Sequence, residues 1–173
     1  LVPVIWLAVK QTNFPIPQLI YGYQLEKVSA KEVELIKDPK ELEVRGICSL
    51  IPGVPGMSEN IEAISIVDNY LEHSRVFIFG NNNNPEIYIS SADFMTRNID
   101  ARVEVTCPIY DERIKTELID IFNIGWKGNV KSRLHSDKLD NKYRLRGKNP
   151  VFRAQQEMYN YYLNRLEVVT EKL

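Results

Sequence analysis

Residues 75–90, RVFIFGNNNNPEIYIS, constrain this chain more than any other stretch. Two short runs of Val, Ile, Phe and Tyr flank a Gly-Asn-Pro turn, and that pattern predicts an antiparallel hairpin. The four asparagines follow from the turn itself, because Asn tolerates left-handed backbone. A hairpin this apolar needs cover on at least one face. Residues 111–126 read as an amphipathic helix, since Ile114, Leu118, Ile121 and Phe122 recur at helical spacing on one side. A strand pair followed by an amphipathic helix predicts a mixed α/β fold.

The rest of the chain fills in around that unit. Residues 1–24 have no stable period, and Pro3, Pro15 and Pro17 argue against a long helix there. Ser29 and Glu32 form a capping box for a helix over 31–37, which Asp38-Pro39 ends. Strand character runs from Glu43 to Leu50 and stops at Pro52-Gly53-Val54-Pro55-Gly56, a sharp bend. Ser58 is then expected to cap a helix carrying Ile61, Ile64 and Ile66. Residues 102–107 read as a third strand, with Val103 and Val105 on one face and Glu104 and Thr106 on the other. A final helix spans 150–173, with Met158, Tyr161, Tyr162 and Arg165 expected against the core.

At 173 residues and 44% hydrophobic the chain has enough material for one domain with a core. No run approaches the 18 or more apolar residues of a membrane span. The apolar opening, residues 1–9, has no basic flank or cleavage site, and a start at Leu1 rather than Met is what an excised fragment would show. Cys48 and Cys107 lie outside any CxxC spacing and read as two isolated buried thiols in a reducing cytoplasm. His73 and His135 have no companions at metal-ligand spacing, so no metal site is expected. The net charge of −1 hides an asymmetry: residues 127–153 carry nine Lys or Arg against two Asp, leaving the rest about eight charges negative. That basic stretch suits a polyanion, and equally a solvated surface or an acidic neighbour.

Chemistry concentrates between residues 45 and 104. Arg45 ends a strand, Glu72-His73-Ser74-Arg75 opens another, and Ser90-Ser91-Ala92-Asp93 leads towards Arg97, Asn98 and Arg102. An arginine fork matches phosphate oxygens in pairs, and a histidine exchanges protons near neutral pH. On a strand, Arg75 shares a face with His73. The plainer reading makes His73 a packing residue and pairs Arg97 and Arg102 with Asp93, Asp100 or Glu104. His135 has no partner in sequence and is expected to be structural. With no GxxxxGK loop, an ordinary nucleotide-kinase mechanism is excluded.

Several stretches resemble the C-terminal region of polyphosphate kinases of the long, histidine-phosphorylating type. They are VRGICSL (44–50), PGVPGMSENIEAISI (52–66), VDNYLEHSRVFIF (67–79), ISSADFMTRNIDAR (89–102) and VEVTCP (103–108). The resemblance covers roughly two-thirds of the chain. It implies a phospholipase D-like mixed sheet flanked by helices, with a C-terminal helical extension. His73-Ser74-Arg75 stands where that superfamily has His-x-Lys, and Ser90-Ser91-Ala92-Asp93 where it has Gly-Ser-Ala-Asn. By position, Arg45, His73 and Arg102 would touch the ATP phosphates, with Arg75, Arg97 and Ser91 as further phosphate contacts and His73 as the catalytic group. The implied reaction passes the terminal phosphate of ATP to an enzyme histidine in a preceding domain, then to polyphosphate. Mg2+ belongs to that reaction, with ligands mainly outside this chain.

The implied partners are ATP or ADP, inorganic polyphosphate, the remaining domains of the same enzyme and further copies of it; nucleic acid is not among them. The implied location is the cytoplasm, with peripheral membrane association left open. On this division residues 44–173 form the catalytic domain and residues 1–43 a segment outside the match. The family's apolar run before Val44 is replaced here by Pro39-Lys40-Glu41-Leu42-Glu43. Alone, such a chain is expected to make no polyphosphate. Two other readings compete: a non-catalytic assembly or polyanion-binding module, and a phospholipase D-like phosphodiesterase with His73 as nucleophile.

Overall fold

A computed structural model of the chain describes residues 5–9, 40–44, 51–56, 58–80, 84–93, 96–136, 138 and 140–170. The capping box at Ser29, the helix over 31–37, and residues 45–50, with Arg45, Cys48 and most of the strand expected to run to Leu50, lie outside them. Among the described residues seven strands form one mixed sheet: β1 (Ile5–Val9), β2 (Lys40–Val44), β3 (Ile61–Ile66), β4 (Val76–Phe79), β5 (Glu86–Ser90), β6 (Thr106–Ile109) and β7 (Ser132–His135). Their order is β6-β5-β4-β1-β2-β3-β7. β1 runs parallel to β4 and β2 parallel to β3; every other neighbouring pair is antiparallel. Among the described residues three helices accompany the sheet: α1 (Thr96–Ala101), α2 (Glu112–Lys127) and α3 (Ala154–Thr170). This is the mixed sheet with flanking helices and a helical C-terminal extension expected from the sequence. No helix among the described residues is long and apolar enough to cross a membrane.

The hairpin forms as expected. β4 and β5 pair with Val76 opposite Ile89 and Ile78 opposite Ile87, and all four residues of β4 are buried. Val76, Ile78 and Ile87 build the core with Ile121 and Phe122 of α2, and Met158 and Tyr161 of α3 pack on it. At ~25 cal/mol per Å2 of apolar surface, these side chains supply the main driving force here. Asp111 starts α2 by accepting from the backbone N–H groups of Arg113 (2.9 Å) and Ile114 (3.2 Å). Ile114, expected in the apolar face, is instead 47% exposed. Tyr161, Tyr162 and Arg165 reach Asp120 and Glu117 of α2, so α3 is fastened along α2 by both packing and polar contacts.

Other expectations fail. Residues 61–66 form β3, not a helix. Ala63 and Ile64 are both almost fully buried, so this interior strand buries both faces and loses the two-residue alternation that marks a strand. Ser58 caps nothing helical: its hydroxyl donates to the Ile51 carbonyl (2.6 Å) and accepts from Val54 N–H (3.0 Å), closing the turn. Gly53 (φ 80°) and Gly56 (φ 74°) take left-handed backbone in that turn, which suits residues without a Cβ. Residues 103–105 are not strand, since β6 begins at Thr106, and Val103 is 99% exposed. The free Cys107 is exposed rather than buried. The sequence also gave no sign of β1, α1 or β7.

Where β1 crosses the middle of the sheet, register aligns Val76, Trp6, Glu43 and Ile64 across β4, β1, β2 and β3. The apolar character of that row is broken by an acid. Glu43 is 5% exposed, and neither carboxylate oxygen has a hydrogen-bond partner. Burial pushes its carboxyl well above the usual range, and the charge of Glu72 adds to the shift. The carboxyl lies directly against Gly125 of α2, where a Cβ would overlap both of its oxygens. Gly125→Ala is therefore expected to destabilise the fold by about 1–2 kcal/mol through overpacking, despite alanine's advantage of about 1 kcal/mol in a helix. In a Glu43→Ala background the same change should stabilise. Denaturant midpoints of the four proteins in this cycle measure the coupling, and additive effects would remove Glu43 as the cause.

Candidate functional site

The residues singled out in the sequence converge beside one end of the β4–β5 hairpin. Arg75 immediately precedes β4, and its Nε donates to Asp93 at 2.7 Å; the two side chains are 12% and 2% exposed. Asp93 thus fixes the root of the guanidinium. The outer nitrogens Nη1 and Nη2 lie 3.5 and 3.4 Å from the two ring nitrogens of the exposed His73. A neutral imidazole has one accepting nitrogen, so at these distances the pair leaves donors on the guanidinium edge for another acceptor.

The turn after β5 is tied down by its own polar groups. Ser91 donates its hydroxyl to Glu104 and accepts from Val105 N–H (3.0 Å). Ser90 Oγ meets Thr106 Oγ1 at 3.0 Å and accepts from Ala92 N–H (3.1 Å). Asn98, 1% exposed on α1, donates to Glu104 at 2.8 Å while its own oxygen has no partner. The Ser91 hydrogen bond, then that of Asn98, then the charges of Arg102 and Arg75 hold Glu104 below the usual carboxylate range. Arg102, exposed just beyond α1, therefore stands in the same electrostatic neighbourhood as Arg75. Arg97 lies on α1. The site so far unites His73, Arg75, Asp93, Ser91, Glu104 and Arg102, with the Ser91 hydroxyl already engaged.

Sequence reading missed the groups that come from far along the chain. Arg153 grips Asp68 through Nε (2.8 Å) and Nη2 (2.5 Å); that hydrogen bond leads the causes holding Asp68 below the usual range. Gln155 donates to Glu72 at 3.0 Å. Burial pushes Glu72 upward, the Gln155 bond opposes it and the Asp68 charge adds to it. Nothing local in sequence links residues 68–72 to 153–155.

Several cations of the basic stretch have partners nearby in sequence. Arg133 donates to the Asn141 carbonyl (2.8 Å) and lies over the Tyr143 ring (4.0 Å). Arg144 donates to the Trp126 carbonyl, Arg146 to the Asn149 carbonyl, and Lys142 pairs with Asp140. His135 lies apart from the site, on β7, with Nε2 2.6 Å from Ser65 Oγ; that hydroxyl donates to the Val44 carbonyl (2.5 Å). Burial lowers the His135 pKa. Among the described residues no three His, Cys, Asp or Glu side chains gather as a metal site.

Comparison with known proteins gives the arrangement its family. Residues 36–155 match the family described as "Polyphosphate kinase C-terminal domain 2". The chain is 50% identical over 129 residues to the polyphosphate kinase of Vibrio cholerae and 51% over 123 residues to that of Escherichia coli K12. Those stretches are 75% and 71% of this chain but 18% of each relative, so the chain spans less than a fifth of their length. The crystal structure of polyphosphate kinase from Porphyromonas gingivalis superposes with a TM-score of 0.77 at 33% identity, covering 96% of this chain and 24% of that one. The chain belongs to the polyphosphate kinase C-terminal domain family.

Proposed function

We propose that this chain is the C-terminal phosphoryl-transfer domain of a polyphosphate kinase, acting in the cytoplasm on ATP and inorganic polyphosphate. In this reading the terminal phosphate of ATP passes reversibly to a histidine in a preceding domain and then to the end of a polyphosphate chain. Residues 44–173 form the catalytic part. His73 faces the transferring group, relays a proton or bears on the developing charge, and works with Arg45, Arg75, Arg97, Arg102 and Ser91 on phosphate oxygens. Transfer of this kind asks mainly for positioning and charge neutralisation.

The observation that carries the reading is the locked guanidinium of Arg75, fixed by Asp93 with its outer edge beside His73. A preorganised cation next to an exposed imidazole, with Arg102 close by, suits an anion with several oxygens. Ser91 takes part only if a phosphate displaces Glu104 from its hydroxyl. The residues described do not fit Mg2+: Asp93 and Glu104 are held by Arg75, Ser91 and Asn98. Mg2+ is therefore assigned to substrate phosphates and to ligands elsewhere in the enzyme.

Calorimetric titration of the chain with ATP and with short polyphosphate tests this. Losing one charge-assisted phosphate contact costs roughly 1.5–3 kcal/mol, or about ten- to hundred-fold in affinity. His73→Ala, Arg45→Ala and Arg102→Ala should each fall in that range. Equal binding by all three and the wild type would sink the assignment.

A further inference from the structure

His73 sits near the end of residues 67–74, a connection without regular secondary structure between β3 and β4. Burial does not hold this connection, since Tyr70 is 75% exposed and Leu71 77% exposed. Its order depends on polar contacts, and among the described residues these reach it from the far end of the chain. Val67 N–H donates to the Lys131 carbonyl (3.0 Å). Asp68 accepts from Asn69 N–H (2.9 Å) and from the Arg153 fork. Gln155, in the first turn of α3, accepts from Tyr70 N–H (3.0 Å) through Oε1. Its Nε2 donates to the Tyr70 carbonyl (2.8 Å) and to Glu72 (3.0 Å).

A primary amide that takes both the N–H and the C=O of one residue acts as a strand partner does, fixing the backbone of that residue against rotation. Three residues further on stands His73. The other side of the connection is fixed by β4 and by the Arg75–Asp93 pair. The support itself is rigid. α3 packs Met158 and Tyr161 on the core, and Phe152 just before it exchanges hydrogen bonds with Asn129.

We infer that Gln155 is a positioning residue for His73, latching residues 70–72 to α3 so that the imidazole stays beside Arg75. The inference rests on the proposed phosphate-facing role of His73. It makes the C-terminal helix part of the site's scaffold, across 82 positions of sequence.

The test uses the whole chain labelled with 15N in its two histidines. Gln155→Met keeps the side chain's length and removes all three hydrogen bonds. It should displace or broaden the His73 ring signals and leave those of His135 unmoved, because His135 is held by Ser65 on β7. Affinity for inorganic tripolyphosphate should fall about tenfold. Gln155→Glu keeps the acceptor for Tyr70 N–H but sets a carboxylate oxygen against the Tyr70 carbonyl and Glu72, so it should displace the His73 signals at least as far, and it serves if the methionine variant does not fold. Unmoved His73 signals would overturn the inference. So would displaced signals with unchanged affinity, if His73→Ala weakens binding in parallel. A wild type that binds no tripolyphosphate, or a His73→Ala chain that binds it equally, would instead refute the proposed site; the ring signals would still decide whether Gln155 places the imidazole.

Discussion

Replacing Glu43 by leucine is expected to raise the unfolding temperature by roughly 5–10 °C near neutral pH. The side chain is 5% exposed and neither oxygen has a partner. A buried polar group without a hydrogen bond costs about 1–3 kcal/mol by mutational measures, and leucine adds apolar contact with Ile64 and α2. A gain of about 2–3 kcal/mol corresponds to that temperature range at 2–4 °C per kcal/mol for a chain of this size. The pH dependence carries the sign of the cause. Glu43 has a folded pKa raised above the ordinary 4.5, so the folded state holds its proton longer than the unfolded state does. The associated stability is present below the ordinary value and lost as pH rises towards the folded one. The leucine variant escapes that loss, so its advantage should be larger at pH 8 than at pH 5. Thermal unfolding of both proteins at the two pH values decides it. An equal gain at both would credit packing alone, and a loss at either would refute the idea that the acid is a burden.

Asp93→Ala should act in the opposite direction with comparable force. Its carboxylate is 2% exposed and receives Arg75 Nε at 2.7 Å, while Arg75 itself is only 12% exposed. Removing one partner of a buried pair strands the other, at a cost of about 3 kcal/mol, or roughly 6–12 °C. Replacing both, as Arg75→Met with Asp93→Leu, should recover most of the loss because no charge is left buried alone. A double variant no more stable than Asp93→Ala would locate the cost elsewhere, such as in the turn that follows β5.

What the sequence disclosed follows from where each signal is stored. The β4–β5 hairpin and α2 announce themselves because their apolar residues recur at the period of the element and face one core. His73 and Arg75 were found as neighbours because two positions along an extended chain share a side. β3 was misread because burial on both faces erases its alternation. β7 has one large apolar residue and owes its existence to the free edge of β3, with which it pairs from Ala63–His135 to Ile66–Ser132; context makes that strand, not propensity. α1 is six residues of Thr, Arg, Asn, Ile, Asp and Ala, too short and too polar to stand out. The Gln155 and Arg153 contacts were invisible for a different reason: they join positions more than 80 apart, and one sequence holds no record of such pairs. The acid at position 43 was legible as a departure from an apolar run, but its isolation inside the sheet was not.

The place of β1 governs how the sheet can come together in time. β4, β5 and β6 follow one another as neighbouring antiparallel strands, so their pairings close over short loops soon after those residues exist. β1 lies between β2 and β4, and its parallel register joins Trp6 to Val76. On a ribosome adding ~5–20 residues per second, the first strand waits several seconds before that partner is made. Until then β1 can pair with β2 alone, and its edge towards β4 stays unsatisfied. Assembly of this domain thus waits on a long loop closure, and the nascent chain must keep the open edge of an apolar strand out of other pairings until the centre of the sheet can be sealed.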